Sequence, residues 1–300
     1  MKIIFLFLFS QFYFYFSHAL EYSEPIIIEE LSASEKKLQQ TMAKIQSCSS
    51  FEDFDFCFYP GSGQNANNLV YFFHGIMGYE NIWIHNKTYL QIQSEWQALP
   101  KGRPAVVSIS YGRVALLTPK NSHKYSGALD PWNLDRIENF EKNHLKLYTQ
   151  KRFLMGTSMG GHNALNLYIK MFPNFSKIGL LCPAQLLNSP YDSKEIVEKI
   201  LPQVESLWPM YLGAMGLMRI YYDQPSWNTY SPFNIEIERL KKLSHIRILL
   251  VKEDLYGFTV VNKRWIELLD NLGASAKFKI SDGIHCFPKE TRFLSDYFLE

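Results

Sequence analysis

Short apolar runs recur along the chain at residues 67–73 (Asn-Asn-Leu-Val-Tyr-Phe-Phe), 105–110, 152–155, 178–182, 246–251 and 276–280. Their brevity and their β-branched and aromatic content read as strands buried on both faces. Residues 54–58 (Phe-Asp-Phe-Cys-Phe) alternate instead, as a half-buried strand would. Helical stretches lie between the runs at 88–99, 132–148, 160–171 and 260–272, with a last one from 289 onward. An amphipathic helix over 31–45 precedes them, with Ser34 as candidate N-cap. Strands alternating with helices imply βαβ units, hence an α/β fold with a mostly parallel central sheet and helices on both faces. Right-handed crossovers then bring the C-terminal ends of the strands to one edge, where sites in such sheets form.

One stretch breaks the rhythm. Between residues 183 and 245 the chain is rich in Met, Trp and Tyr, including Trp208, Tyr211, Met215, Met218, Tyr221, Tyr222 and Trp227. It is too apolar for a disordered loop. It is expected to form a helical cap insertion at about 186–242, packed over the site, within a single domain spanning 20–300.

The first nineteen residues have a different character. Lys2 is followed by an apolar run to Phe16, broken mainly by Ser10 and Gln11, and then by Ser17-His18-Ala19. This is the order of a secretory signal peptide, with small residues where cleavage occurs. The run is shorter than the ~20 apolar residues of a spanning helix. Residues 1–19 are therefore expected to be a removed leader, leaving no stable membrane span and an exported protein, secreted or periplasmic.

Charge narrows the partners. Lys and Arg number 31 against 29 Asp and Glu, a formal net charge of +2 with no like-charge blocks. That leaves no electrostatic footprint for nucleic acid and no polybasic membrane patch. Hydrophobic residues at 47% with 20% charged exclude a disordered chain. Of the four cysteines, Cys48 and Cys57 enclose a short loop and are the pair expected to bond in an oxidising compartment. Their spacing matches no zinc pattern.

The chemistry centres on Gly156-Thr157-Ser158-Met159-Gly160-Gly161, a G-x-S-x-G string between a strand and a helix. A sharp strand-to-helix turn needs small neighbours and leaves the serine Oγ exposed above the sheet edge. His74-Gly75-Ile76-Met77-Gly78 follows the first strong strand. The amides of Ile76 and Met159 are the expected oxyanion hole, and His74 is expected to brace its own loop. A serine hydroxyl needs a histidine to take its proton, and that histidine needs an acid to fix its tautomer. The chain order on such a sheet is Ser, then Asp or Glu, then His. Only His162, His245 and His285 follow the serine. His162 lies too near the serine along the helix, and His245 precedes a strand, at the opposite edge. His285 follows the last strand and is the expected general base. Glu253 and Asp254 both follow the run 246–251; Asp254 is preferred, with Glu253 and, more distantly, Asp282 as rivals.

The segments Val70-Tyr71-Phe72-Phe73-His74-Gly75-Ile76-Met77-Gly78, Gly156 through Leu165, and Asp282-Gly283-Ile284-His285-Cys286-Phe287-Pro288 resemble the esterase D-like branch of the α/β-hydrolases. That branch includes S-formylglutathione hydrolases, feruloyl and other carbohydrate-ester esterases, and mycolyltransferases. The resemblance spans roughly residues 50–300. It implies an α/β-hydrolase fold, Ser158, Asp254 and His285 at the triad positions, and Ile76 with Met159 at the oxyanion positions. Thr157 stands where the family often has a histidine, and the acid loop lacks the usual glycine. The implied activity is hydrolysis of a small-molecule or carbohydrate ester through an acyl-enzyme, with no metal or organic cofactor. Transfer of the acyl group to another alcohol and a non-catalytic binding module are the alternatives.

Overall fold

The computed structural model describes residues 30–112, 117–118, 128–202, 208–231, 243, 245–254, 256–274 and 276–300. The leader expected over 1–19 lies outside the described residues, as do parts of the expected insertion.

Among the described residues, nine strands form one sheet. They are β1 (Ser47–Phe51), β2 (Phe54–Tyr59), β3 (Asn68–Phe73), β4 (Ala105–Ser110), β5 (Lys151–Thr157), β6 (Lys177–Leu181), β7 (Ile246–Glu253), β8 (Ala276–Ile284) and β9 (Phe287–Pro288). Their order is β1-β2-β4-β3-β5-β6-β7-β8-β9. The neighbours from β4 through β8 are all parallel, while β1, β2 and β9 join antiparallel at the two margins. The chain steps from β3 out to β4, then returns to the other side of β3 as β5. That reversal opens a crevice beyond the strand ends, where ligands of α/β sheets bind.

The central strands β3 to β7 are mostly apolar and buried because both faces are covered. β1 and β8 are largely exposed, so the run 276–280 is a strand but not one buried on both faces. On one face Leu69, Tyr71, Phe73, Val107 and Ile248 pack under α3 (Leu134–Phe140), α4 (Met159–Met171) and α8 (Phe258–Asn271). On the other, Val70, Phe72, Val106 and Leu249 meet α1 (Ala33–Ile45), α2 (Lys87–Gln97) and the C-terminal α9 (Arg292–Ser295). Each fully buried side chain of this size stabilises by roughly 1.5–3 kcal/mol. The remaining helices are α5 (Lys194–Ile200), α6 (Trp208–Tyr221) and α7 (Gln224–Tyr230).

Several local expectations are corrected. The cap of α1 is Ser32, which accepts from the Glu35 amide while Glu35 bonds back to the Ser32 N–H. In β2 only Asp55 is exposed, because the strand is sandwiched by both layers. The helix expected over 132–148 is α3 continued by one π turn, Glu141–Leu145, that ends at left-handed Lys146. There Glu141 is buried and accepts from the Arg152 Nε–H and Nη2–H at 2.8 Å each and from the Tyr71 hydroxyl at 2.9 Å. The last helix, expected from 289 onward, starts at Arg292, because the amides of Lys289 and Glu290 still donate to Asp282 and Ser281 of β8. Cys48 and Cys57 form a disulfide that ties β1 to β2.

Candidate active site

Ser158 sits between β5 and α4 in a conformation that L-residues rarely adopt, with φ 52° and ψ −120°. Such a backbone costs of order 1–3 kcal/mol and persists only where its surroundings enforce it. Here the Ser158 N–H donates to the Leu181 carbonyl at 2.9 Å. Its own carbonyl accepts from the Gly161 and Ala184 amides at 2.9 and 2.8 Å. The turn also requires glycine on both sides. A Cβ on Gly156 would lie 2.2 Å from the Gly160 carbonyl oxygen, and one on Gly160 would lie 2.1 Å from that of Phe73.

His285 is the first residue of a two-residue hairpin tip joining β8 to β9, where Ile284 pairs with Phe287. Its Nε2 stands 3.1 Å from the Ser158 Oγ, and its Nδ1 stands 2.9 Å from the Asp254 Oδ1. The imidazole packs against the rings of Tyr256 and Phe258, whose centroids lie 4.6 and 5.7 Å away. Asp254 follows β7 just after an irregularity in its pairing with β8. Its Oδ2 accepts the Thr259 N–H at 2.7 Å and its Oδ1 the Tyr256 N–H at 3.1 Å. The carboxylate therefore also caps the start of α8, a favourable place for negative charge. The structure thus brings Ser158, His285 and Asp254 into one chain of hydrogen bonds. It leaves the rivals out: Glu253 is exposed, and Asp282 pairs with Lys252 at 2.5 Å.

Ile76 lies in the turn after β3, and Met159 is the first residue of α4, directly after Ser158. Among the described residues neither donates a hydrogen bond. The β3 turn lies close to Ser158, since a Cβ on Gly75 would come within 3.3 Å of the Ser158 Cβ. His74 braces this turn: Nδ1 is 2.7 Å from the Gly75 carbonyl and Nε2 is 3.0 Å from the Ser110 hydroxyl. Burial lowers the pKa of its ring below the ordinary histidine value.

His162 is fully buried on α4. Its Nε2 is 2.9 Å from the Tyr222 hydroxyl and its Nδ1 3.3 Å from the Gln185 Oε1. Burial pushes its pKa down to about 4. Tyr222 also accepts the Asn166 amide N–H at 2.8 Å, so the end of the α6 segment is tied to the helix behind the serine. Tyr211, Met215, Met218, Tyr221, Tyr222 and Trp227 form one apolar cluster with Met159 and Phe258, and Ile76 packs on its margin. The described aromatic and Met residues of this stretch therefore pack against both Met159 and Ile76. Cys182 and Cys286 also converge here, a grouping that sequence spacing did not signal.

Residues 52–259 match the model of the family described as "Putative esterase". The chain belongs to this esterase family. The match bears out the resemblance to the esterase D-like branch and makes the protein a carboxylic-ester hydrolase. Among solved structures, a ferulic acid esterase is 12% identical, with a TM-score of 0.54 over 80% of this chain and 90% of the other. A thermostable esterase from Pseudomonas putida is 14% identical, with a TM-score of 0.54 over 96% and 92%. An esterase from Pyrobaculum calidifontis is 17% identical, with a TM-score of 0.55 over 92% and 93%. At these identities the likeness shows the fold, and the esterase has the α/β-hydrolase fold. No curated protein matches it in sequence. No helix among the described residues is long and apolar enough to cross a membrane.

Proposed function

We propose that the protein is an exported serine esterase in which Ser158 is the nucleophile, His285 the general base and Asp254 its orienting acid. One observation carries this reading: the hydrogen-bonded series Ser158 Oγ, His285 Nε2, His285 Nδ1 and Asp254 Oδ1, with spacings of 3.1 and 2.9 Å at the switch point of the sheet. Ser158 Oγ attacks the ester carbonyl as its proton passes to His285 Nε2. Asp254 holds the other proton on Nδ1 and stabilises the imidazolium that results. The tetrahedral oxyanion rests on the amides of Ile76 and Met159, each worth a few kcal/mol. Collapse breaks the ester bond, and the departing alkoxide takes the proton from Nε2, leaving an acyl-serine. Water then attacks with Nε2 again as base, releasing the acid and restoring the serine.

The apolar cluster against Met159, Ile76 and Phe258 supports an apolar acyl group on the substrate, a small-molecule or carbohydrate ester. Export is supported by the Cys48–Cys57 disulfide, a bond that persists in oxidising compartments. It is also supported by the leader-like composition of residues 1–19.

The test is hydrolysis of p-nitrophenyl esters of increasing acyl length by the wild type and by Ser158→Ala. Loss of kcat on the order of 10⁴-fold or more is expected in the variant, with an acyl adduct on Ser158 seen by mass spectrometry in the wild type only. Undiminished activity in Ser158→Ala overturns the assignment.

A further inference from the structure

Two buried thiols that the acyl transfer does not use stand against its base. Cys286 shares the hairpin tip with His285, and Cys182 follows the end of β6. The Cys286 Sγ lies 3.3 Å from His285 Nε2, and the Cys286 N–H donates to the Cys182 Sγ at 3.2 Å. The two sulfurs and an imidazole nitrogen lie within 4.8 Å of one another.

We propose that Cys182, His285 and Cys286 form an inhibitory site for a thiophilic divalent ion such as Zn²⁺. A tetrahedral zinc with its usual bond lengths sets a nitrogen–sulfur edge of about 3.6 Å and a sulfur–sulfur edge of about 3.8 Å. The Cys286–His285 edge is 3.3 Å and no two of the three donor atoms are farther apart than 4.8 Å, so closing on an ion needs a few tenths of an ångström at that edge and shifts of about an ångström or less at the others. The donor set of two thiolates and one imidazole selects zinc or cadmium over magnesium or calcium, which take oxygen. The orientation of the ring is already correct. Asp254 accepts from Nδ1, which leaves the Nε2 lone pair pointing away from it, the carboxylate–histidine–metal arrangement found around zinc. Ser158 Oγ, 3.1 Å from Nε2, or a water takes the fourth position. Binding releases two thiol protons to solvent and forms two metal–sulfur bonds and one metal–nitrogen bond. The Nε2 lone pair is then no longer free to accept the serine proton, so the filled site stops turnover. Metal binding stands on this geometry alone, whereas the inhibition rests on the triad proposed above.

Cadmium gives the direct test, because a thiolate-to-cadmium charge-transfer band reports sulfur ligation in the ultraviolet. The other two of the four cysteines are locked in a disulfide, so the band has no other source. One equivalent of cadmium per chain is expected to produce it. Zinc is expected to compete it away and magnesium to leave it unchanged. Ester hydrolysis is expected to fall at least tenfold over the same titration and to return on chelation. Cys182→Ala and Cys286→Ala should each weaken the band and reduce fractional inhibition relative to each variant's own activity. Cadmium NMR on the wild type needs no variant to fold, and a shift in the mixed sulfur–nitrogen range is expected. An absent band, or a resonance in the oxygen-only range, overturns the site. A band with undiminished hydrolysis overturns the participation of His285. If Ser158→Ala proves fully active, the triad falls while the band still decides the metal site.

Discussion

Replacing Asp254 by asparagine probes the most constrained group of the site. The carboxylate is almost wholly buried and accepts on both oxygens: His285 Nδ1 and the Tyr256 N–H on Oδ1, the Thr259 N–H and hydroxyl on Oδ2. Asparagine has one carbonyl oxygen and one NH₂, so it can serve only one side. With the oxygen toward Thr259, the NH₂ faces His285, which must then accept at Nδ1. The ring proton moves to Nε2, opposite Ser158 Oγ at 3.1 Å, and the base is lost. With the oxygen toward His285, the NH₂ meets the Thr259 N–H at 2.7 Å, and two buried donors oppose each other. That orientation costs about 1–3 kcal/mol for the unsatisfied pair. The first orientation keeps the short bond from the Thr259 N–H and is favoured, so Asp254→Asn is expected to lower kcat on the order of 10⁴-fold, about 5.5 kcal/mol of barrier, with KM little changed. Folding stability should drop by no more than about 1–3 kcal/mol. Steady-state hydrolysis of p-nitrophenyl acetate and urea unfolding measure the two effects separately. Glu253→Gln is the control, since that side chain is exposed and should leave kcat within twofold or so. An Asp254→Asn enzyme within tenfold of wild type, or the large loss appearing in Glu253→Gln, refutes the reasoning.

The elbow and the buried histidine give two further expectations. Gly160→Ala places a Cβ 2.1 Å from the Phe73 oxygen and 2.4 Å from the His74 oxygen, both backbone, so it should destabilise by about 3 kcal/mol or more; a urea midpoint equal to that of wild type rejects this. His162 has a folded pKa of about 4 against 6.5 for the free side chain. The unfolded chain therefore binds the extra proton first. Its contribution is fully present above pH 6.5 and is lost as pH falls toward 4, by up to about 3 kcal/mol. Thermal unfolding of wild type and His162→Gln between pH 7 and 4 should show the steeper acid loss in the wild type. Parallel curves would rule His162 out as the source.

The sheet was legible because a strand covered on both faces is apolar at every position, so β3 through β7 announce themselves as runs. β1 does not, because four of its five residues are exposed and its polar Ser-Cys-Ser-Ser sequence has no alternation to detect. It is held by pairing with β2 and by the disulfide instead. The cap of α1 was readable and misplaced: Ser32 has Glu35 three residues on, the reciprocal capping pattern, whereas Ser34 does not. Helix α6 was legible only as an apolar stretch, since apolar residues fall on most of its sides and give no helical period.

The choice of site residues follows from one consequence of parallel strands. His74, Ser158, Cys182, Asp254 and His285 are each the first residue after a strand, namely β3, β5, β6, β7 and β8. Parallel pairing places those five positions along a single edge, however far apart they lie in the chain. The serine and its histidine could be read because each chemistry dictates a local pattern, a glycine-flanked turn in one case and a position beyond the last long strand in the other. Cys182 and Cys286 are 104 residues apart and carry no turn signature, so only the geometry of the edge brings them together. Asp254 was preferred to Glu253 without the choice being settled, for the complementary reason. A strand alternates its side chains, and the irregularity between Val251 and Glu253 decides which carboxylate turns toward β8. Chain order therefore points to the strand that supplies the proposed acid, while the turn after its last residue sets Asp254 rather than Glu253 against His285.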